Sequence, residues 1–244
     1  MKQGEWRREL GEIVRSAMRS PEIEQYFSVK ITKPGARVLI TQLGLFIRHR
    51  RDCWAHVSAN CPHMAVKQKI LQHEYGEVIK DEYTEHGHLD LIVRQGKALG
   101  LSVKETLEVE PLPTTMAALY AWGWMTREKS WLEGLVSLSV TEWANDDRLH
   151  HDIGGGLSSR MAKRWMDDLG FGWEQMPNFK VHSQADEEHS DMFLEDLERY
   201  AIGENEAVVI QAAKESMDLH KLFRGGIAVE MEKLAREAAR SHPL

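Results

Sequence analysis

Two imidazoles and a carboxyl stand at helical spacing in the stretch FKVHSQADEEHSDMFLEDLERYA, residues 179–201. His182, Asp186 and His189 fall at i, i+4 and i+7, offsets that stack three side chains on one helical face. The stripe runs on through Phe193, Leu197 and Tyr200. A face that begins with ligand-type groups and ends apolar is expected to point inward. Polar groups taken out of water need a partner or a metal. Imidazole nitrogen with carboxylate oxygen suits iron, manganese or zinc. The competing reading is a solvated charged helix with two incidental histidines.

Two further stretches can bring donors to the same centre. In HEYGEVIKDEYTEHGHLDLIV, residues 73–93, His88 follows Glu85, Asp81, Glu77 and Glu74, which share its face if the segment is one helix. Four acids in a row usually mean a solvated face, but this one carries a histidine and leads into LDLIV. In SWLEGLVSLSVTEWANDD, Glu142 is the only acid between Glu133 and Asp146, set among Leu, Val and Trp. A lone buried carboxylate is costly, so a metal or an arginine is the expected compensation. Glu142, His88, His182, Asp186, His189 and one acid of residues 74–85 suit two metal ions sharing a bridging carboxylate. Two Fe(II) ions held so, with open positions, can bind and reduce dioxygen. Zinc could use the same ligands for hydrolysis, but it prefers four per ion.

The elements that must position these groups read as helices throughout. Residues 3–19 have helical spacing in Trp6, Leu10, Ile13, Val14 and Met18, with a stop at Ser20-Pro21. Residues 32–35 read as a turn. Helical patterns follow over 36–61, over 64–99 as one long segment kinked near Gly87, over 114–126, 129–150, 157–169 and 179–201, and over 205–240. No segment alternates over a strand length with hairpin signals. The expectation is an all-α, single-domain bundle of about eight helices. Residues 1–35 form an N-terminal helix and turn, and residues 36–240 the metal-binding bundle.

A formal charge of −7 over 244 residues argues against nucleic acid or an anionic membrane as the main partner. Two cysteines, Cys53 and Cys61, imply no disulfide framework, and a reducing cytoplasm is the simplest setting. No stretch approaches the roughly 20 apolar residues of a membrane span.

On these motifs the chain resembles the haem-oxygenase-like di-iron oxidases and oxygenases, relatives of the TenA and PqqC fold. The complete third motif is His182-x3-Asp186-x2-His189, Glu142 matches the middle Glu, and His88 matches the histidine of the first motif. The resemblance covers roughly residues 36–235, down to the LDLIVRQGKALGL that follows His88. The first motif departs from the pattern: where many members have Glu seven residues before the histidine, this chain has Asp81, and Glu85 stands three before. Asp81 ranks slightly ahead of Glu85, with Glu77 third. The resemblance implies metal ligands Asp81 or Glu85, His88, Glu142, His182, Asp186 and His189. It implies two Fe(II) ions, the second weakly held, with O2 as co-substrate and electrons from substrate or an external reductant. The implied activity is oxidation of a small carboxylate-bearing metabolite, first an amino acid or derivative, by N-oxygenation, desaturation, C–C cleavage or decarboxylation. Decarboxylation of a fatty acid to a terminal alkene is the alternative on the same site.

A carboxylate substrate wants an arginine fork. Arg48 and Arg224 are the candidates, with Arg50 and Arg51 beside the first. Tyr120, Trp122, Trp124, Trp143 and Phe223 are cavity-lining or plain core; His49, His56, His63 and His73 read as surface or core groups. Cys53 and Cys61 raise a metal-free TenA-like hydrolase, which needs a thiolate beside an acid–base group. A ferritin-like bundle would need two Glu-x-x-His motifs, and only Glu85-x2-His88 is present. A non-catalytic helical interaction protein would leave the polar face of 179–201 on the surface. Oligomeric state is open, a homodimer included.

Overall fold

The computed structural model describes residues 1–80 and 82–241, with backbone alone for 185–189 and 241. Thirteen α-helices and two short 3-10 turns make up its regular structure, and there is no strand among the described residues. The helices are α1 (Gln3–Met18), α2 (Pro21–Ser28), α3 (Lys33–Asn60), α4 (Met64–Val78), α5 (His88–Ala98), α6 (Val103–Leu107) and α7 (Pro113–Glu128). Then come α8 (Trp131–Trp143), α9 (Asp147–His150), α10 (Leu157–Leu169), α11 (Pro177–Asp191), α12 (Leu194–Tyr200) and α13 (Glu204–Ser241).

The all-α expectation holds, but thirteen helices replace the expected eight because polar breaks cut the longer patterns. The supposed turn at 32–35 is the first turn of α3: Thr32 Oγ1 accepts from the Gly35 amide at 3.2 Å, and Pro34 sits where its missing N–H is harmless. The 64–99 segment is two helices. The chain leaves α4 at Val78, where the Tyr75 carbonyl accepts from both Ile79 and Lys80 amides, and it re-enters helix only at His88. The stretch between is polar and has little apolar surface to bury. The helix opening at Pro177 also ends early, at Asp191. Phe193 then turns into the core and stacks on Trp54, ring centroids 5.4 Å apart.

The bundle is built around α8, which packs on α3, α7, α11 and α13. Ser130 starts it with a capping box, Glu133 bonding back to the Ser130 amide at 3.0 Å. From Gly134 to Trp143 every residue is buried. A helix enclosed on all sides is apolar all round. The hydroxyls of Ser137, Ser139 and Thr141 comply by donating to carbonyls one turn back. No described helix is long and apolar enough to cross a membrane.

Candidate metal centre

Glu142 is the charged exception near the end of α8, and only 6% of it is exposed. Its compensation is the arginine of the two alternatives. Arg50 of α3, itself buried, pairs with Glu142 Oε1 and also donates to Thr141 Oγ1 and the Leu138 carbonyl. The His73 Nε2 atom lies 3.9 Å from the same carboxylate oxygen.

A second buried carboxylate comes from α4. Glu77 Oε1 lies 2.8 Å from His88 Nδ1, and Arg51 Nη1 lies 3.1 Å from Glu77 Oε2 and 2.9 Å from Glu74 Oε1. His73 Nδ1 lies 3.1 Å from Glu74 Oε1, which closes the network back towards Glu142. Burial alone would raise the Glu77 carboxyl, but His88 and Arg51 beside it hold it well below the usual carboxylate range. The fold sets this pair through Gly87. A Cβ there would run into the Val78 carbonyl, so glycine lets the start of α5 close on the end of α4.

His182, half-buried on α11, stands edge-on to the fully buried His88, ring centroids 4.6 Å apart. His88 and His182 thus meet, and Glu142 lines the same cavity as His182. The side chains of Asp186 and His189 lie outside the described residues, as does Asp81. Glu85 is misplaced by the prediction: it is exposed in the 79–87 stretch, paired with Lys80 at 3.2 Å. Because α4 ends at Val78 and no helix runs through the described residues between it and His88, Glu85 is not on a common face with His88, and Glu77, the third-ranked acid, lies beside it.

Glu77, Glu142 and His182 line a cavity of about 50 Å³ that opens to solvent. Arg50, Arg51 and Arg224 reach it; Arg48 is exposed on α3 and does not, which corrects that expectation. Leu43, Phe46, Ile47 and Phe179 supply apolar wall, while Asn145, Ser158 and Asn178 supply polar wall. Tyr26 of α2 also lines it, so the segment before residue 36 contributes to the site. Among the aromatics, Tyr120 and Trp124 are exposed, and Trp122, Trp143 and Phe223 are core. Neither cysteine lines the cavity, and burial pushes both thiols up, away from nucleophilic thiolate. The Asp146–His151 region is a structural turn, where Asp147 accepts from Gly156 N and Ser159 Oγ.

His73, Tyr26 and His220 are what sequence reasoning missed, while Arg50 and Arg51, named beside Arg48 for a substrate carboxylate, pair with Glu142, Glu74 and Glu77 of the protein itself. His73 and Glu77 stand four apart on α4, a signal hidden by treating the acids as one stripe ending at His88. Nothing in the sequence marks Arg50 over Arg48.

The donors suit a metal cation. Three carboxylates, Glu74, Glu77 and Glu142, face two guanidiniums, Arg50 and Arg51, in the network, leaving negative charge in excess. Glu77 Oε1 and His88 Nδ1 face each other at 2.8 Å, an oxygen donor and an imidazole donor side by side. Oxygen and imidazole donors of this kind match iron. Among the described residues, no three His, Cys, Asp or Glu side chains gather into a ready-made ion site.

The family described as iron-containing redox enzymes (Haem_oxygenas_2) matches residues 37–221. No curated protein matches the sequence. Among solved structures, the chain is similar to a domain of unknown function with a haem-oxygenase-like fold from Shewanella denitrificans OS217. The TM-score is 0.73 at 17% identity, covering 100% of this chain and 97% of that one. A CADD-like protein of unknown function from Nostoc punctiforme PCC 73102 matches with TM-score 0.70 and 13% identity, over 93% of this chain and 97% of that one. A TenA homologue from P. horikoshii OT3 matches with TM-score 0.67 and 12% identity, over 96% and 99%. These likenesses establish the haem-oxygenase-like fold.

Proposed function

The chain belongs to the haem-oxygenase-like family of iron-containing redox enzymes, and from that premise we propose that it is a non-haem iron oxidase or oxygenase. It uses O2 on a small carboxylate-bearing metabolite. One observation carries the reading: Glu77, Glu142 and His182, from three helices, line one cavity, and His88 lies behind them against Glu77 and His182. These residues, joined from α11 by Asp186 and His189, would hold the iron, two Fe(II) ions in the full ligand set. Bound iron supplies the redox chemistry of dioxygen, which no side chain here can.

The chain's own residues do the rest. Arg50 supplies the counter-charge of Glu142, and Arg51 that of Glu77, whose carboxyl is held below its ordinary value by His88 and Arg51. Leu43, Phe46, Ile47 and Phe179 exclude water from the cavity. The polar wall of Asn145, Ser158 and Asn178 favours an amino-acid-like substrate over a long acyl chain.

Anaerobic Fe(II) titration tests this. The parent is expected to take up as many as two equivalents, and Glu142→Ala and His182→Ala each to lose most of that uptake together with substrate-dependent O2 consumption. Parent-like iron binding in both variants would refute the site.

A further inference from the structure

The cavity holds a second constellation that the iron reading does not use. Arg224 of α13 lines it, is 6% exposed, and forms no ion pair among the described residues. Its neighbours are neutral. Nη1 donates to the Tyr26 hydroxyl at 3.0 Å and Nε donates to His220 Nε2 at 3.2 Å, while the guanidinium lies 5.2 Å from the Phe223 ring centroid. A buried guanidinium with neutral acceptors alone is a costly arrangement, and an anion resolves it.

His220 points the same way. It is 1% exposed and lines the cavity. Since Nε2 accepts from Arg224, the proton of the neutral ring sits on Nδ1, and Nδ1 has no partner among the described residues. It is a buried N–H donor without an acceptor. Asn178, at the start of α11, supplies the complement: its side chain is 3% exposed, lines the cavity, and leaves Oδ1 without a donor. Tyr26 buttresses the fork by accepting from it.

We propose that Arg224, held in place by His220 and Tyr26, forms the anchor for the carboxylate of the substrate, and that Asn178 Oδ1 accepts from an amine on the same molecule. The ligand is therefore a small amino acid, with its carboxylate on α13 and not on the iron. This deepens, and rests on, the reading of the cavity as the substrate site. Guanidinium fits a carboxylate with two parallel N–H bonds, and the bond from Nε to His220 leaves the outer nitrogens facing the ligand. The side chain of the ligand then lies along Phe46, Leu43 and Ile47, towards Glu142 and Glu77. Arg50 stands between the two constellations, bonded to Glu142 and near enough to His220 for its charge to act on that ring.

The test is calorimetric titration of metal-free and iron-loaded full chain with L-norleucine, hexanoate, hexanamide and inorganic phosphate. Norleucine is expected to bind more tightly than hexanoate, and hexanamide not at all. Arg224→Gln is expected to weaken both acids at least tenfold. Asn178→Leu is expected to erase the advantage of norleucine over hexanoate. Arg48→Gln, on the exposed side of α3, should change nothing. If Arg224→Gln does not fold, Arg224→Lys decides, because it keeps the charge and loses the fork; at least tenfold weaker binding is again expected.

Parent-like affinity in the deciding Arg224 variant, equal binding of hexanamide, or tighter binding of phosphate than of hexanoate would overturn the carboxylate anchor. An unchanged norleucine advantage in Asn178→Leu would overturn the amine contact. The two readings fail separately. A chain that holds hexanoate through Arg224 but loads no iron refutes the iron site alone. One that loads iron and holds hexanoate equally with and without Arg224 refutes the anchor alone.

Discussion

Three guanidiniums reach one cavity, and they are not alike. Arg50 and Arg51 are each held by a buried or half-buried carboxylate, whereas Arg224 has only a phenol and a neutral imidazole for partners. The first two are counter-charges whose removal strands a partner. The third is a charge retained without a protein counter-ion, which a core built for stability alone would replace with an apolar group. The difference separates residues that keep the bundle together from one kept for what it binds.

The contrast can be broken most directly at Arg50. Arg50→Met leaves Glu142 buried without its cation, and is expected to cost about 3–5 kcal/mol in denaturant unfolding. Arg224→Met strands no carboxylate and should stay within about 1 kcal/mol of the parent. Equal losses in the two variants would erase the distinction. A smaller loss is expected at the Glu77–His88 pair. Gly87→Ala forces α5 away from the Val78 carbonyl, at about 1–3 kcal/mol, and should lower Fe(II) uptake with it. Unaltered uptake would show that the close approach of α4 and α5 does not set the ligands.

The smallest effect is a pH dependence. Burial, then the charges of Arg224 and Arg50, push His220 well below its ordinary value of 6.5. The unfolded chain therefore binds a proton that the folded chain does not as pH drops below about 6.5, and the ring's contribution to stability, full above that pH, is lost on acidification. Unfolding free energy measured between pH 7.5 and 5.5 should fall, and His220→Gln, which retains an acceptor and does not titrate, should flatten that fall. An identical slope in the variant would mean His220 is not buried neutral.

Much of this was legible beforehand, for identifiable reasons. Glu142 stood out because a single acid in an apolar helix must be compensated, and it is. His182 and His88 were found by helical offset and by the family pattern, and the two rings do meet. Arg224 was singled out beside Phe223 and does line the cavity. What escaped notice was set by breaks in the chain and by contacts between distant helices. Periodicity extends a helix beyond Val78, where the described residues have too little apolar surface to hold one, and so favours Glu85 over Glu77. The choice of Arg50 over Arg48 depends on which side of α3 meets α8, and both lie in a run of basic residues. Tyr26 and His220 carry no local signal at all, since their role is defined by a guanidinium on another turn or another helix.

Tyr26 and Arg224, joined by one hydrogen bond, are separated by 198 positions in the chain. The Tyr26 buttress joins α2 to α13, and the loop it closes is among the costliest in the molecule to draw shut. Displacing α2 would release Arg224 from its phenol while leaving Arg50 on Glu142, so the two guanidiniums depend on separate parts of the chain.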